Sequence, residues 1–492
     1  MRAGSGAGRR NDRFTERGET SDRAESLRQE EYLQRAAQEV ADLEQEIGRR
    51  PTCCVTTFEC QMNARDSEKL LGILRRAGYA ISESEDADFV IYNTCTVRDN
   101  ADQRVFGRLG RLSYYKKSNP HMKIAVCGCM TQEQGNVDRL RKSYPYVDLI
   151  FGTHNLFRFP EYLYRCLRGE KRMVELWEGT GRIVETLPVE RRYPYKSGVN
   201  ITFGCDNFCT YCIVPYVRGR ERSRSSEEIL EEVRRLAADG VTEVMLLGQN
   251  VNSYGHDLPG ELSFPELCRR VCAVEGIRRV RFMTPHPKDF SDELLEVIRE
   301  EPKMARHIHL PMQSGSTEIL RRMNRRYTKE QYLALAEKIR TRLPDVAMTT
   351  DIIVGFPGET PADVEDTLDV IRKVCFDNAY TFIYSPRRGT PAASMEPVPE
   401  AQIHESFGQV LAQVQACARE RCSRLAGQVL EGLVEELNTQ EAGYVTARLS
   451  NNTLVHLPGD ASMIGQYHRI RLDEDHGFYY FGQIVTEQES NG

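Results

Sequence analysis

Apolar residues in this chain fall into short runs separated by stretches of three-to-four spacing, and the rhythm changes near each end. From about 53 to 165, the runs 53–58, 88–92, 123–126 and 147–151 read as strands, with helical periodicity near 67–76, 98–117 and 132–142 between them. Strand and helix in alternation predict a parallel sheet covered by helices. The alternation returns between about 195 and 395 through six units, with strands near 199–203, 243–248, 279–284, 307–311, 348–354 and 379–384. Six parallel strands with crossover helices predict a partial (β/α)6 barrel whose site lies at the carboxyl-terminal strand ends. After a helical stretch near 400–425, the runs 428–435, 444–449, 453–457, 468–472 and 479–485 read as five short strands, the pattern of a small β-barrel. Ahead of the first sheet, Leu33, Ala37, Val40, Leu43 and Ile47 recur at helical spacing in a charged segment. They predict one amphipathic helix, a peripheral extension that packs weakly or binds a partner. The expected class is α/β with a terminal β-barrel, and the expected divisions are 1–50, 51–190, 191–423 and 424–488.

Composition narrows the class. The chain has 492 residues, 40% of them hydrophobic, without an apolar run approaching the length of a membrane span. The first 50 residues alternate Arg and Glu without an apolar core, unlike a signal peptide. Fifteen cysteines, odd in number and clustered, read as reduced thiols and metal ligands in a cytoplasmic protein. The net charge of −6 gives no global reason to expect a nucleic-acid partner, so basic surface must be local. Arg191, Arg192, Lys196, Arg218, Arg220, Arg222 and Arg224 bracket a cysteine-rich loop, and Arg321, Arg322, Arg325 and Arg326 form a second knot. Residues 424–492 hold four arginines, no lysine and ten acidic residues. Only Arg448, Arg469 and Arg471, with Tyr444 or Tyr467, offer a contact patch there.

The strongest chemistry lies in the run Gly204-Cys-Asp-Asn-Phe-Cys-Thr-Tyr-Cys, directly after a predicted strand. Cys205, Cys209 and Cys212 place three thiols on one loop. Three thiolates leave one iron of a 4Fe-4S cluster open to a small molecule, unlike the four-cysteine ferredoxin pattern. This C-x3-C-x2-C spacing, with Tyr211 before the last cysteine, is the signature of radical S-adenosylmethionine (radical SAM) chemistry. A structural zinc site normally takes four protein ligands, and no second pair follows nearby. Four turns on the expected rim add to the site: Gly248-Gln249-Asn250, Thr284-Pro285-His286-Pro287, Gln313-Ser314-Gly315-Ser316 and Gly355-Phe356-Pro357-Gly358-Glu359-Thr360. Their glycines allow close backbone approach, and their amides and hydroxyls can orient polar groups of a ligand. Gly248, Gln249, Asn250, Gln313, Ser314 and Gly355, with Tyr211 and Asp351, are the candidate S-adenosylmethionine contacts.

A second set is dispersed. Cys60, Cys95 and Cys129 each fall just beyond one of the first three predicted strands, at intervals of 35 and 34 residues. In a parallel sheet those ends share one edge, where open α/β folds bind ligands. Cys127 competes with Cys129, because strand alternation points both thiols the same way. Cys53, Cys54, Cys166, Cys268, Cys272, Cys375, Cys417 and Cys422 read as packing thiols.

In order of features the chain resembles the methylthiotransferase family of radical S-adenosylmethionine enzymes, from about residue 53 to the end. The resemblance rests on Cys60-Gln61-Met62-Asn63, Asn93-Thr94-Cys95, Val105-Phe106-Gly107-Arg108-Leu109-Gly110, Cys127-Gly128-Cys129, the radical loop and Leu247-Gly248-Gln249-Asn250-Val251-Asn252. It implies a flavodoxin-like first domain, a radical SAM barrel and a C-terminal RNA-binding barrel of the TRAM type. It also implies an auxiliary 4Fe-4S cluster on Cys60, Cys95 and Cys129, a radical 4Fe-4S cluster on Cys205, Cys209 and Cys212, and two equivalents of S-adenosylmethionine. The subgroup cues are similar to enzymes that methylthiolate C2 of isopentenyladenosine at position 37, next to the tRNA anticodon. Sister enzymes acting on threonylcarbamoyladenosine or on a ribosomal-protein aspartate share every ligand. A non-catalytic iron-sulfur RNA-binding regulator is the reading from another class. Expected partners are the tRNA anticodon loop, with Arg218, Arg220, Arg325, Arg448 and Arg469 as candidate contacts, and a reductase. A monomer without membrane association is expected. Glu59 departs from the glycine usual in the family before the first cysteine.

Overall fold

The computed structural model describes residues 19–58, 61–96, 99–177, 183–185 and 187–485. The chain divides into two compact units, Met1–Glu190 and Arg191–Gly492. In the first, β1 (Thr52–Thr57), β2 (Ala80–Ile81), β3 (Phe89–Thr94), β4 (Lys123–Gly128), β5 (Leu149–Phe151) and β6 (Met173–Glu175) form one all-parallel sheet. Their spatial order is β2-β1-β3-β4-β5-β6. Alternation sends Cys53, Phe89, Ile91, Ala125 and Leu149 into one apolar core, and Cys54, Val90, Tyr92, Ile124 and Ile150 into another. Helices therefore cover both faces, as a parallel sheet requires. Edge strands β2 and β6 escape sequence reading because two or three residues show no period.

The N-terminal segment departs from expectation. Its helix, α1 (Glu19–Ile47), is no loose extension: Leu33, Ala36 and Val40 are buried in the first core. Tyr32 packs 5.9 Å from Tyr164 of the helix Phe159–Leu167, and the Glu161 amide donates to Gln29 Oε1 at 3.2 Å. Small and aliphatic residues on one stripe supply a core face despite the charged composition.

In the second unit, β7 (Lys196–Asn200), β8 (Thr202–Phe203), β9 (Arg222–Ser223), β10 (Glu243–Leu247), β11 (Arg279–Phe282), β12 (His307–His309), β13 (Ala347–Val354) and β14 (Asn378–Ile383) follow in chain order. Two parallel ladders, β11-β10-β7 and β12-β13-β14, hold the six expected strands, and a bridge pairs Val280 with Met304. Val199, Val244, Leu246, Val280, Phe282, Ile308, Met348 and Ile352 belong to one large core. Alternation turns Asn200, Glu243, Arg281, His307, His309 and Thr349 to the opposite, polar face, where Arg281 Nε lies 3.2 Å from Glu243 and His307 Nε2 lies 2.9 Å from Thr349 Oγ1. The antiparallel ribbon β8-β9 was not legible in the sequence. It pairs Thr202 with Ser223 and Phe203 with Arg222, closing the cysteine loop at its base.

The last five strands, β15 (Val429–Leu437), β16 (Tyr444–Leu449), β17 (Leu454–Pro458), β18 (Tyr467–Asp475) and β19 (Tyr479–Ile484), close into a barrel ordered β15-β16-β17-β19-β18. Val434, Val445, Ala447, Val455, Ile470 and Tyr480 fill it. Arg281 ties this barrel to the parallel strands by donating to the carbonyls of Leu449 (2.8 Å) and Ser450 (3.1 Å). The α/β class with a terminal β-barrel is as expected. Among the described residues no helix is long and apolar enough to cross a membrane.

Candidate active site

At the first sheet, β1, β3 and β4 are spatial neighbours, and Thr94 pairs with Gly128. That register puts Cys95 and Cys129 at equivalent positions one residue beyond adjacent strand ends, both buried. Cys60 lies outside the described residues, as does Glu59. Gly128 has φ +99, and a Cβ there would sit 2.2 Å from the Thr94 carbonyl oxygen, so only glycine fits. This turn breaks the alternation that made Cys127 and Cys129 equivalent. Cys127 lies in the apolar core, while Cys129 opens the 3-10 turn Cys129–Gln132 beyond the strand. The asparagines of the quoted motifs brace this edge: Asn63 Nδ2 donates to the Thr94 carbonyl at 2.9 Å, and Asn93 Nδ2 to the Asn63 carbonyl at 2.8 Å.

In the second unit, Cys205 and Cys212 are half-buried and Cys209 is buried. Burial pushes the Cys205 thiol up to about 11 and the Cys212 thiol up to about 12, with Cys209 raising both. Thiols in this position ionise against a positive centre, as bound iron provides. Gly204, at φ +78, would place a Cβ 2.1 Å from the Arg220 carbonyl oxygen, and its amide donates to Gln249 Oε1 at 2.5 Å. Among the described residues no three His, Cys, Asp or Glu side chains could hold a single metal ion. A cubane spreads its thiolates over different irons, so its ligands need not converge on one point.

The rim motifs surround this loop on the same strand ends and spend much of their polarity on shape. Asn250 Nδ2 donates to Asp289 at 2.9 Å, and Ser314 Oγ accepts from the Ser316 amide at 3.2 Å. Gln313, at φ +68, donates its amide to the Asp351 carbonyl at 2.8 Å. Thr284, at φ +65, donates its hydroxyl to the Gly248 carbonyl at 2.8 Å. Left-handed non-glycine backbone at two strand ends is costly and concentrates at working sites. The Tyr211 ring is half-buried against Phe356, centroids 6.5 Å apart.

Sequence reading missed Asn200. It is fully buried at the end of β7, and among the described residues neither atom of its amide has a hydrogen-bond partner; Thr202 Oγ1, Asn250 Oδ1 and His286 Nε2 are likewise buried without one. A buried unsatisfied group costs about 1–3 kcal/mol, so these atoms, at or just beyond the ends of β7, β10 and β11, suit a polar ligand. The one available signal was an amide inside the apolar run Val199 to Phe203.

Two candidate RNA contacts are corrected. Arg218 and Arg325 are only 6% and 5% exposed, too buried to meet a phosphate backbone, because the segments carrying them fold inward around the cysteine loop. Arg220 is exposed, lying over the Phe208 ring at 5.0 Å, and Arg469 is exposed. Arg448 Nε is held by both Glu435 oxygens at 3.1 Å.

Glu359 gives the rim a pH signature. Burial pushes its carboxyl from 4.5 up to about 7, although the Gly355 amide favours the ionised form, donating at 2.6 Å. The folded state then holds this proton more tightly than the unfolded chain, so the group's contribution falls as pH rises from about 4.5 to about 7. Glu359→Gln keeps an acceptor for Gly355 and should flatten that slope. Urea unfolding across pH should show the variant more stable above neutrality by about 3 kcal/mol and matched to the parent in acid.

Comparisons place this geometry. The Radical SAM superfamily model matches residues 199–371, Uncharacterized protein family UPF0004 matches 52–152, and the TRAM domain matches 423–485. A protein of Lachnoclostridium phytofermentans named tRNA-2-methylthio-N(6)-dimethylallyladenosine synthase is 54% identical over 91% of this chain and 99% of its own. A protein of the same name from Acetivibrio thermocellus is 48% identical over 94% and 96%. The chain belongs to the tRNA-2-methylthio-N(6)-dimethylallyladenosine synthase family. Among solved structures, the radical S-adenosylmethionine methyltransferase TsrM from Kitasatospora setae, with cobalamin and a [4Fe-4S] cluster bound, superposes with a TM-score of 0.52. It is 13% identical and covers 70% of this chain and 74% of that one, a likeness of fold. Family membership accounts for the order of the three matched regions. It also sets the polar rim and the cysteine loop in the part of the chain that matches the radical SAM model.

Proposed function

We propose that this protein is a radical SAM tRNA methylthiotransferase that converts N6-(dimethylallyl)adenosine at position 37 of tRNA to its 2-methylthio derivative, using two 4Fe-4S clusters and two molecules of S-adenosylmethionine. The observation that carries the reading is the three-thiol loop at the end of the first barrel strand, in a chain 54% identical to a synthase of that name. In this reading Cys205, Cys209 and Cys212 hold the radical cluster, and Cys95 and Cys129, with Cys60, hold the auxiliary one. When bound, the radical cluster with S-adenosylmethionine supplies hydrogen abstraction at an unactivated adenine C–H bond, beyond any side-chain base, and the auxiliary cluster supplies the sulfur.

The chain's own residues set the conditions. Gly204 and Gln249 shape the cysteine loop, and Tyr211, Gly248, Asn250, Gln313, Ser314, Asp351 and Gly355 frame the small-molecule site. Asn200 and Asn250 offer unpaired amide atoms to a polar ligand there. The domains divide the work: 51–190 carries the auxiliary site, 191–423 the radical site, and 424–488 holds tRNA with Arg448 and Arg469, aided by Arg220. The anticodon loop presents the base unstacked, a reductase delivers electrons, and the setting is cytoplasmic.

Nucleoside mass spectrometry tests the reading. Expressed in cells that lack methylthiotransferases but contain isopentenyladenosine, the protein should produce the 2-methylthio-isopentenyl nucleoside. A methylthio group appearing only on threonylcarbamoyladenosine, or on no nucleoside, would transfer the assignment to a sister activity.

A further inference from the structure

The second arginine knot folds inward as a clasp on the cysteine loop. Asn324 and Arg326 take φ +59 and +57, so two left-handed non-glycine residues flank Arg325. Such backbone persists only where its surroundings over-determine it. The surroundings are the cysteine loop: Asn324 Nδ2 donates to the carbonyls of Asn207 (3.1 Å) and Phe208 (3.0 Å). The Thr210 amide donates to the Met323 carbonyl at 3.0 Å, and its hydroxyl to the Arg322 carbonyl at 2.8 Å. Phe208, inside the loop, is itself left-handed at φ +46.

This clasp fixes the Arg325 guanidinium on three partners. Nη1 lies 3.6 Å from Cys209 Sγ, Nη2 donates to the Pro311 carbonyl at 3.1 Å, and Nε donates to the Tyr327 hydroxyl at 3.1 Å. Tyr327 is anchored in turn on the Met312 carbonyl at 2.8 Å. Among the described residues no carboxylate pairs with Arg325. A buried cation without a counter-anion is expensive, and thiolates on the neighbouring loop are the anions within reach.

We infer that Arg325 is a positioning residue for the radical cluster, donating a charge-assisted hydrogen bond to the Cys209 thiolate and raising the cluster's reduction potential. The inference rests on the ligand set proposed above. Reduction adds negative charge to the cluster, so a fixed cation and an N–H···S bond stabilise the reduced form more than the oxidised one. Partners of metal ligands act in this way on potential and affinity.

The test uses the reconstituted full-length protein carrying Cys95→Ala and Cys129→Ala, so that the radical cluster alone is titrated, without S-adenosylmethionine, by EPR-monitored potentiometry. Arg325→Gln should lower the midpoint so that the reduced-to-oxidised ratio at the parent's midpoint falls about tenfold, or 59 mV for one electron. Arg325→Lys, which keeps charge without the planar fork, should fall between. A loaded Arg325→Gln cluster with the parent's potential overturns the inference. If Arg325→Gln takes up no iron, Arg325→Lys decides: a lowered potential supports the role, and the parent's value overturns it. Absence of a cluster in the parent itself, with Arg325 intact, would instead defeat the ligand assignment.

Discussion

Alanine in place of Cys205, Cys209 or Cys212 is expected to end reductive cleavage of S-adenosylmethionine, and with it all methylthiolated tRNA. The physical reason is that three thiolates are the minimum that leaves one iron open while holding the other three. Losing a mere partner of a metal ligand typically costs 10–100-fold in affinity or activity, so losing a ligand should cost more than about 100-fold. The fold should survive. None of the three lies in the large apolar core, and the loop's base is held by the β8-β9 ribbon and the clasp, whose bonds use backbone and other side chains. Chromatographic assay of 5′-deoxyadenosine and methionine under reducing conditions, with iron content and a thermal melt on each variant, checks this. A single variant that still cleaves S-adenosylmethionine at the parent's rate would remove that cysteine from the ligand set.

The parallel strands were legible because most of them, such as β3 and β10, carry apolar runs buried on both sides, and a helix long enough to show its own period follows most of them. The β-barrel was legible as five short runs in succession. What stayed hidden lacks a period: β2 and β6 at two and three residues, and the β8-β9 ribbon. The cysteine loop announced itself through spacing, whereas its clasp did not. Arg321, Arg322, Arg325 and Arg326 look alike in sequence. Only left-handed backbone at Asn324 and Arg326 turns Arg325 inward while Arg321 remains exposed. Charge pattern reports how many cations a segment carries, and dihedral angles decide which of them meets water. Asn200 was missed for a related reason: its neighbours Val199 and Ile201 define a strand core, and nothing local reveals that its amide finds no partner.

Cys95→Ala and Cys129→Ala should separate the two halves of the reaction, sparing S-adenosylmethionine cleavage while ending sulfur insertion. The argument starts from register. Thr94 pairs with Gly128, so the next residues, Cys95 and Cys129, leave adjacent parallel strands side by side at the edge where such sheets bind ligands. Gly128, which tolerates no Cβ, turns Cys129 out of the strand while Cys127 stays in the apolar core. Cys127→Ala therefore serves as the matched control, costing packing but keeping the product. Asn63, Asn93 and Thr94 brace the edge through bonds that involve neither thiol, so both alanine variants should fold. Each should hold about half the parent's iron, generate 5′-deoxyadenosine when reduced, and leave isopentenyladenosine unmodified in tRNA. Retention of the 2-methylthio nucleoside by Cys95→Ala or Cys129→Ala, or its loss in Cys127→Ala with the fold intact, would move the auxiliary site to a different set of thiols.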